Sequence, residues 1–586
     1  MRKLLIYMKT YTKECILAPL FKMLEASFEL FVPLVVAAII DHGIGDGDHG
    51  YIYRMGVVLV LLGVIGLVCS VTAQYFSAKA AVGFATKVKS ELFRHIQSLS
   101  YTEMDTLGTA AMVTRMTSDM NQVQNGVNLT LRLLLRSPFV VFGAMVMAFT
   151  VNVKAALVFV VIIPLLCVVV FGIMLFNIPM YRKVQNRLDK VLGSTRENLT
   201  GARVIRAFNK QESEIESYRE STEALNKVQL FAGKVSGLMN PVTYVIVNGG
   251  IIALIYSGAI QVDAGSITQG ELTALVNYMS QILVELIKMA NLIISITKAV
   301  ACGNRIQGIF EIEPGMEYGD RGCDGAEAES AGESPETPLL EFDHVSLQYK
   351  NAGAESLSNL DFSVQAGDTV GIIGGTGSGK TSLVNLIARF YDATSGRILL
   401  KGRPIREYSR EALCGMIGVV PQKAVLFAGT IEDNLRWGKR DATAEEMDRA
   451  LEISQAKEFV MTKPQGIQTL LEQGGKNLSG GQRQRLTIAR ALVGEPEILI
   501  LDDSASALDF ATDAKLRTAI RGMDHSPTVF IVSQRASSIQ YADQIIVLED
   551  GEAVGIGTHA ELLKNCPVYQ EIYYSQFPKG GAVNES

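Results

Sequence analysis

The chain runs to 586 residues, of which 48% are hydrophobic and 19% charged, with a formal net charge of −6. That is enough chain for several domains, and it is too apolar for an intrinsically disordered polypeptide. Seven scattered cysteines, odd in number and without metal-ligand spacing, argue against a disulfide framework or a zinc site, and no basic patch marks a nucleic-acid surface.

The average hides two chemistries. Up to about Val300 long apolar runs dominate, and after Thr337 the pattern is that of a soluble α/β domain. Crossing the hydrocarbon core takes roughly 20 mostly apolar residues. Six segments meet that need, at 16–40, 56–77, 133–151, 155–177, 242–260 and 272–296. Arg2, Lys3, Lys9 and Lys13 precede the first span, the connections 79–132 and 182–234 are rich in Lys and Arg, and the loops 41–50 and 261–270 have neither. The excess of basic residues marks the cytoplasmic side, so the N-terminus and both long connections are expected inside the cell, with Lys154 a small exception outside. No small-residue cleavage pattern follows the first span. Segments 78–98 and 181–232 mix alanine and charge with periodic apolar positions, which predicts helices that continue into water below the membrane.

Charge inside a span is costly and therefore a functional candidate by default. Glu25 and Glu29 stand four residues apart on one helical face, and Glu285 lies in the sixth span. Two readings stay open: the pair lines a polar cavity that attracts a cation, or Lys22 neutralises Glu25 near the cytoplasmic interface. Asn248, Asn277 and Asn291 are expected to join helices by hydrogen bonds.

Residues 1–310 are thus read as a transmembrane domain, 311–338 as an acidic, solvated linker, and 339–586 as a nucleotide-binding domain. Within 311–336 nine acids stand against one arginine. The soluble part opens on a strand-like run at 339–349. Gly374-Gly375-Thr376-Gly377-Ser378-Gly379-Lys380-Thr381 fits the P-loop pattern without mismatch, between a β-prone run at 369–373 and a helical run at 382–390. The glycines let backbone N–H groups wrap phosphate oxygens, Lys380 reaches the outer phosphates, and the hydroxyl of Thr381 is placed for Mg²⁺. Residues 497–503, Glu-Ile-Leu-Ile-Leu-Asp-Asp, read as a buried parallel strand ending in two carboxylates, with Asp502 set to hold the metal shell.

Between these motifs lies Asn477-Leu478-Ser479-Gly480-Gly481-Gln482. Leu478–Gln482 is the unaltered signature of ATP-binding cassette proteins, and the chain resembles the type IV, multidrug-class ABC exporters along essentially its whole length. The resemblance implies ATP and Mg²⁺ as cofactors and an all-α six-helix membrane domain fused to an α/β cassette. It implies a multi-pass place in the cell membrane, among membrane lipid, with the cassette cytoplasmic. By this resemblance Tyr349 stacks on adenine, Ser382 follows the phosphate loop, and Gln422 is the Q-loop residue near both metal and water. Ser506-Ala507-Leu508-Asp509 is the D-loop, and the signature serves the ATP held by a second half-subunit. Residues 199–208 and 101–119 resemble the coupling segments that dock on the nucleotide-binding domains.

Two positions depart from the family pattern. Asp503 stands where the family usually has a glutamate that aligns the attacking water, and Gln534 where it usually has histidine. The aspartate is one methylene shorter, and a misplacement of about 1 Å costs about 10²-fold in rate. Glutamine can donate a hydrogen bond to a γ-phosphate but cannot carry charge. The expectation is the hydrolysis-impaired member of a heterodimeric bacterial exporter of drugs, lipids or peptides, its partner bearing Glu and His at these places. An active homodimer and an ATP-regulated gate or sensor without turnover are the alternatives. Fusion of spans and cassette in one chain argues against an importer.

Overall fold

The computed structural model describes residues 3–322, 337–350 and 352–577, without the side chains of residues 505 and 506. Its contacts divide it into two units, Met1–Gln97 with Thr109–Ile312, and Ser98–Gly108 with Glu313–Ser586.

In the first unit, six helices among the described residues are long and apolar enough to cross a membrane: Lys3–Ile44, His49–Ser98, Thr109–Val151, Val153–Thr200, Gln211–Asp263 and Gln269–Phe310. Each is longer than its apolar run, and within lipid every backbone group must be bonded inside the helix. The second and fourth reach Ser98 and Thr200, as the amphipathic extensions predict. The core is small and tightly spaced: Ala26, Ala144, Ala148, Ala155, Ala156 and Ala274 are fully buried among Phe159, Tyr278 and Met279. Small residues let helix backbones approach closely where no water-driven force separates lipid from protein contacts. Large apolar side chains such as Val60, Leu67 and Val168 stay exposed on the unit's outer face, as a lipid-facing surface requires.

The second unit holds twelve strands among the described residues, β1 Leu340–Leu347, β2 Leu357–Val364, β3 Thr369–Gly374, β4 Ser395–Leu400, β5 Arg403–Pro404, β6 Ile417–Val420, β7 Gly429–Thr430, β8 Leu470–Leu471, β9 Ile498–Asp502, β10 Thr528–Val532, β11 Gln544–Glu549 and β12 Glu552–Gly557. An antiparallel sheet has the order β2-β1-β4-β5, and the main sheet the order β12-β11-β3-β10-β9-β6. In the main sheet only β12 runs antiparallel to its neighbour. The parallel strands are apolar throughout because both faces are covered. Leu499, Leu501, Val529 and Ile531 pack on one side, and Ile498, Ile500, Phe530 and Val532 on the other.

The helix after the phosphate loop spans Lys380–Ile387, starting earlier and ending sooner than its apolar pattern predicts. It stops because Arg389 takes a left-handed φ of +49° and turns inward. That guanidinium is fully buried. It bonds Asp392 at 3.0 Å, the Glu317 carbonyl at 2.6 Å, and lies over the Tyr318 ring at 4.6 Å. The early part of the acidic segment is therefore held in place by a cation that needs acceptors; residues 323–336 of it lie outside the described residues.

Candidate functional site: the nucleotide pocket and the membrane charge cluster

The main sheet lines up the cassette motifs. Val532 pairs with Ile372 on one side and Asp502 on the other, and Val420 pairs with Leu501. The carboxyl ends of β3, β9, β10 and β6 thus share one edge, where a parallel sheet opens its binding crevice. The phosphate loop follows β3, Asp502 ends β9 with Asp503 just past it, Gln534 lies two residues past β10, and Gln422 two past β6. An open cavity of about 530 Å³ at this edge is lined by Gly377, Gly379, Lys380, Thr381 and Ser382, and also by Glu355 and Asp550. The two acids were not singled out from sequence; only the Asp550-Gly551 turn signal between β11 and β12 hinted at a loop there.

Gly379 has φ +96°, and a Cβ there would stand 2.8 Å from the Ser356 carbonyl. Only glycine fits, and it opens the helix that presents its N–H groups to the cavity. Lys380 folds onto its own loop, donating to the carbonyls of Gly374 at 2.9 Å and Gly375 at 2.6 Å and to Ser378 Oγ at 3.3 Å. Burial lowers its pKa, against the opposing charges of Asp502 and Asp503. Asp502 is buried, and burial followed by the charge of Asp503 pushes its carboxyl above the usual range, while the Thr381 hydroxyl donates to it. Tyr349 places its hydroxyl 3.0 Å from Ser382 Oγ and its ring edge-on to Tyr391 at 5.0 Å.

Asp503 is half-buried with a left-handed φ of +46°; its N–H donates to the Val532 carbonyl at 3.0 Å. Gln422 Nε2 lies 3.4 Å from Asp503 Oδ2, so the two are neighbours. Gln534 is exposed at the loop after β10. The signature Ser479 caps the helix Gly480–Leu492 in a reciprocal box. Gln482 N donates to Ser479 Oγ at 3.3 Å, and Ser479 N donates to Gln482 Oε1 at 3.1 Å. Ser479 and Gly480 are exposed, and a Cβ on Gly481 would stand 3.1 Å from the Ala507 carbonyl in the D-loop.

The segment Ser98–Gly108 belongs to this unit although it joins two membrane helices. Its short helix Tyr101–Leu107 sets Tyr101 against Phe390 at 4.8 Å, and Asp105 accepts from the Tyr391 hydroxyl at 2.5 Å. Burial, then the bond to Asp105, raises the Tyr391 pKa. Of the stretch 101–119 expected to dock, only its first part does so; Thr109 onward packs with the membrane unit, where Asp119 is buried and pairs with Arg305 at 2.5 Å.

In the membrane unit the three intramembrane acids are all paired. Lys22 meets Glu25 at 2.5 Å, Arg136 meets Glu29 at 2.5 Å and Glu285 at 2.6 Å, and Lys288 meets Glu285 at 2.8 Å. Of the two open readings, the Lys22–Glu25 pair is the one observed, and Glu29 and Glu285 join Arg136 in a neutralised cluster linking the first, third and sixth helices. Arg136 was missed in sequence because, near the start of its span, it passes for an interfacial flank. Asn248, Asn277 and Asn291 are exposed on the unit's surface rather than bridging its helices. The six described cysteines are free thiols.

Residues 15–286 match the family model for the ABC transporter transmembrane region, and residues 357–506 the model for ABC transporter. An uncharacterized ABC transporter ATP-binding protein of Bacillus subtilis, YfiB, is 35% identical over 99% of this chain and 100% of its own length. The ATP-dependent lipid A-core flippase of Desulfotalea psychrophila is 32% identical over 83% of each chain. A solved structure of a bacterial Atm1-family ABC exporter with ATP bound shares the fold, with a TM-score of 0.77 at 22% identity over 97% of this chain and 99% of that one. The chain therefore belongs to the ABC transporters, as an exporter half-transporter whose six-helix membrane domain is fused to a cytoplasmic, ATP-hydrolysing cassette.

Proposed function

We propose that this chain is the hydrolysis-impaired half of a heterodimeric exporter: it grips ATP in its own pocket and lends an intact signature to the partner's. The observation that carries this reading is Asp503. Its backbone is pinned by the bond to Val532, so a side chain one methylene shorter than glutamate cannot be advanced by moving the strand end. Gln534 adds a second loss, since it brings no positive charge to a γ-phosphate. Retained nucleotide binding is supported by the cavity that Gly377, Gly379, Lys380 and Thr381 line.

Mg²⁺ suits the donor set. Asp502 is a buried carboxylate bonded to the Thr381 hydroxyl, and both offer hard oxygen ligands, with Gln422 next to the neighbouring Asp503. When bound, the ion would neutralise phosphate charge. Thr381, Asp502 and Gln422 would hold it, Tyr349 would stack on adenine after leaving Ser382, and the N-terminus of the signature helix would face the partner's nucleotide. Ser479 and Gln482 contribute there mainly by capping that helix, which leaves the N–H groups of Gly480 and Gly481 to the phosphate. The cargo is a small amphipathic molecule, and the flippase relative favours a lipid over a drug or peptide.

The test is ATP turnover by the purified chain with and without its partner. The chain alone turns over slowly, and Asp503→Glu with Gln534→His raises that rate about 10²-fold. In the pair, Ser479→Arg stops turnover where Asp503→Asn does little. Brisk turnover by the unaltered chain alone, abolished by Asp503→Ala, refutes the proposal and leaves an active homodimer.

A further inference from the structure

The C-terminal helix Pro567–Gln576 reaches the loop that follows β10. Gln576 Nε2 donates to the Gln534 carbonyl at 2.8 Å, and the Ala536 N–H donates to Gln576 Oε1 at 2.9 Å. Ala536 opens the short helix Ala536–Ile539, whose cap position, Arg535, offers no side-chain acceptor. A glutamine 40 residues further along the chain satisfies that first N–H instead. One amide thus fixes the backbone on both sides of Arg535. The job needs a donor and an acceptor on one side chain, which a carboxylate does not have.

The helix that carries Gln576 is itself well anchored. Tyr569 is fully buried, its hydroxyl is 2.7 Å from His559 Nδ1, and burial pushes its phenol up to about 12. Tyr573 packs against His559 at 5.1 Å and Phe577 at 4.9 Å. The Gln534 side chain is exposed and makes no hydrogen bond among the described residues, so the hold of Gln576 on its backbone is the restraint on where it stands.

We propose that Gln576 is a positioning residue for the nucleotide site: its two-point clamp aims Gln534 at the γ-phosphate and so ties recognition of that phosphate to the C-terminal helix. This rests on the reading of Gln534 given above. The test compares ATP and ADP affinities of the full-length chain in detergent, by displacement of a fluorescent nucleotide. Gln576→Ala weakens ATP about five-fold, the worth of one hydrogen bond, and leaves ADP unchanged. Gln576→Glu, which keeps the acceptor and loses the donor, also lowers the preference for ATP. Equal weakening of ATP and ADP, or no change in either variant, overturns the clamp. Gln534→Ala is the control: if it lowers the ATP preference and the Gln576 variants do not, the clamp alone fails. If it leaves the preference intact, the γ-phosphate role of Gln534 fails with it.

Discussion

Arg136→Met should unbalance the membrane unit far more than removing the whole ion pair does. Arg136 and Glu285 have side chains only 7% and 2% exposed, so the substitution strands a buried carboxylate. Breaking such a pair from one side costs about 3–5 kcal/mol. Glu285 keeps Lys288 at 2.8 Å and Ser137 at 3.0 Å, and Glu29 at 42% exposed is the less buried of the two acids. The cost therefore falls at the lower end, about 3 kcal/mol. At about 2 °C per kcal/mol for a unit of this size, the thermal midpoint drops by about 6 °C. Arg136→Met with Glu285→Met removes both charges and replaces them with apolar volume, which recovers most of that loss. Midpoints of the detergent-solubilised protein, followed by size-exclusion recovery after heating, give the comparison. A double variant as unstable as the single, or a harmless Arg136→Met, would refute the idea that this cluster is held by charge neutralisation.

Two further outcomes follow from the second unit. Asp502 has a raised pKa, so the folded state holds its proton more tightly than the unfolded chain does. Its contribution to stability is present at low pH and is lost as pH climbs from the ordinary carboxylate range through the raised pKa. Melts of the nucleotide-free protein from about pH 4 to about pH 7 should therefore show a decline that Asp502→Asn flattens; a decline that persists unchanged assigns it to other groups. Tyr391→Phe keeps the ring against Tyr101 and removes the hydroxyl bond to Asp105. Hydrogen exchange in residues 98–108 should accelerate about ten-fold, a bond to a carboxylate being worth about 1.5 kcal/mol or more, and equal protection in both proteins would count against that bond.

What could be read from the chain beforehand was what local spacing dictates. The glycines of 374–379 are forced by close backbone approach, and the apolar runs by the thickness of a bilayer, so both leave marks in consecutive residues. Gly379 illustrates the first, since its φ and the nearby Ser356 carbonyl exclude any side chain. Asp503 and Gln534 stood out only against a family pattern, because an isolated aspartate or glutamine at a strand end has no spacing of its own. Arg136 and Gln576 were silent for a further reason. Their partners lie on other helices or 40 residues away, and no periodicity encodes a contact that only tertiary packing creates. The helix expected at 382–390 was cut short by Arg389, whose buried head seeks carbonyls from the segment before the cassette.

The stretch Ser98–Gly108 sits by sequence between two membrane helices yet takes its neighbours from the nucleotide-binding unit. The peptide chain therefore enters that unit twice, once at Ser98 and once at Glu313. A protease that cut within residues 323–336 would act downstream of the second entry, leaving residues 313–322 joined to the membrane helices. The excised cassette would stay tethered to two peptides still covalently part of the membrane helices, residues 98–108 through Tyr391 and Phe390 and residues 313–322 through Arg389, and would leave only when both sets of contacts let go.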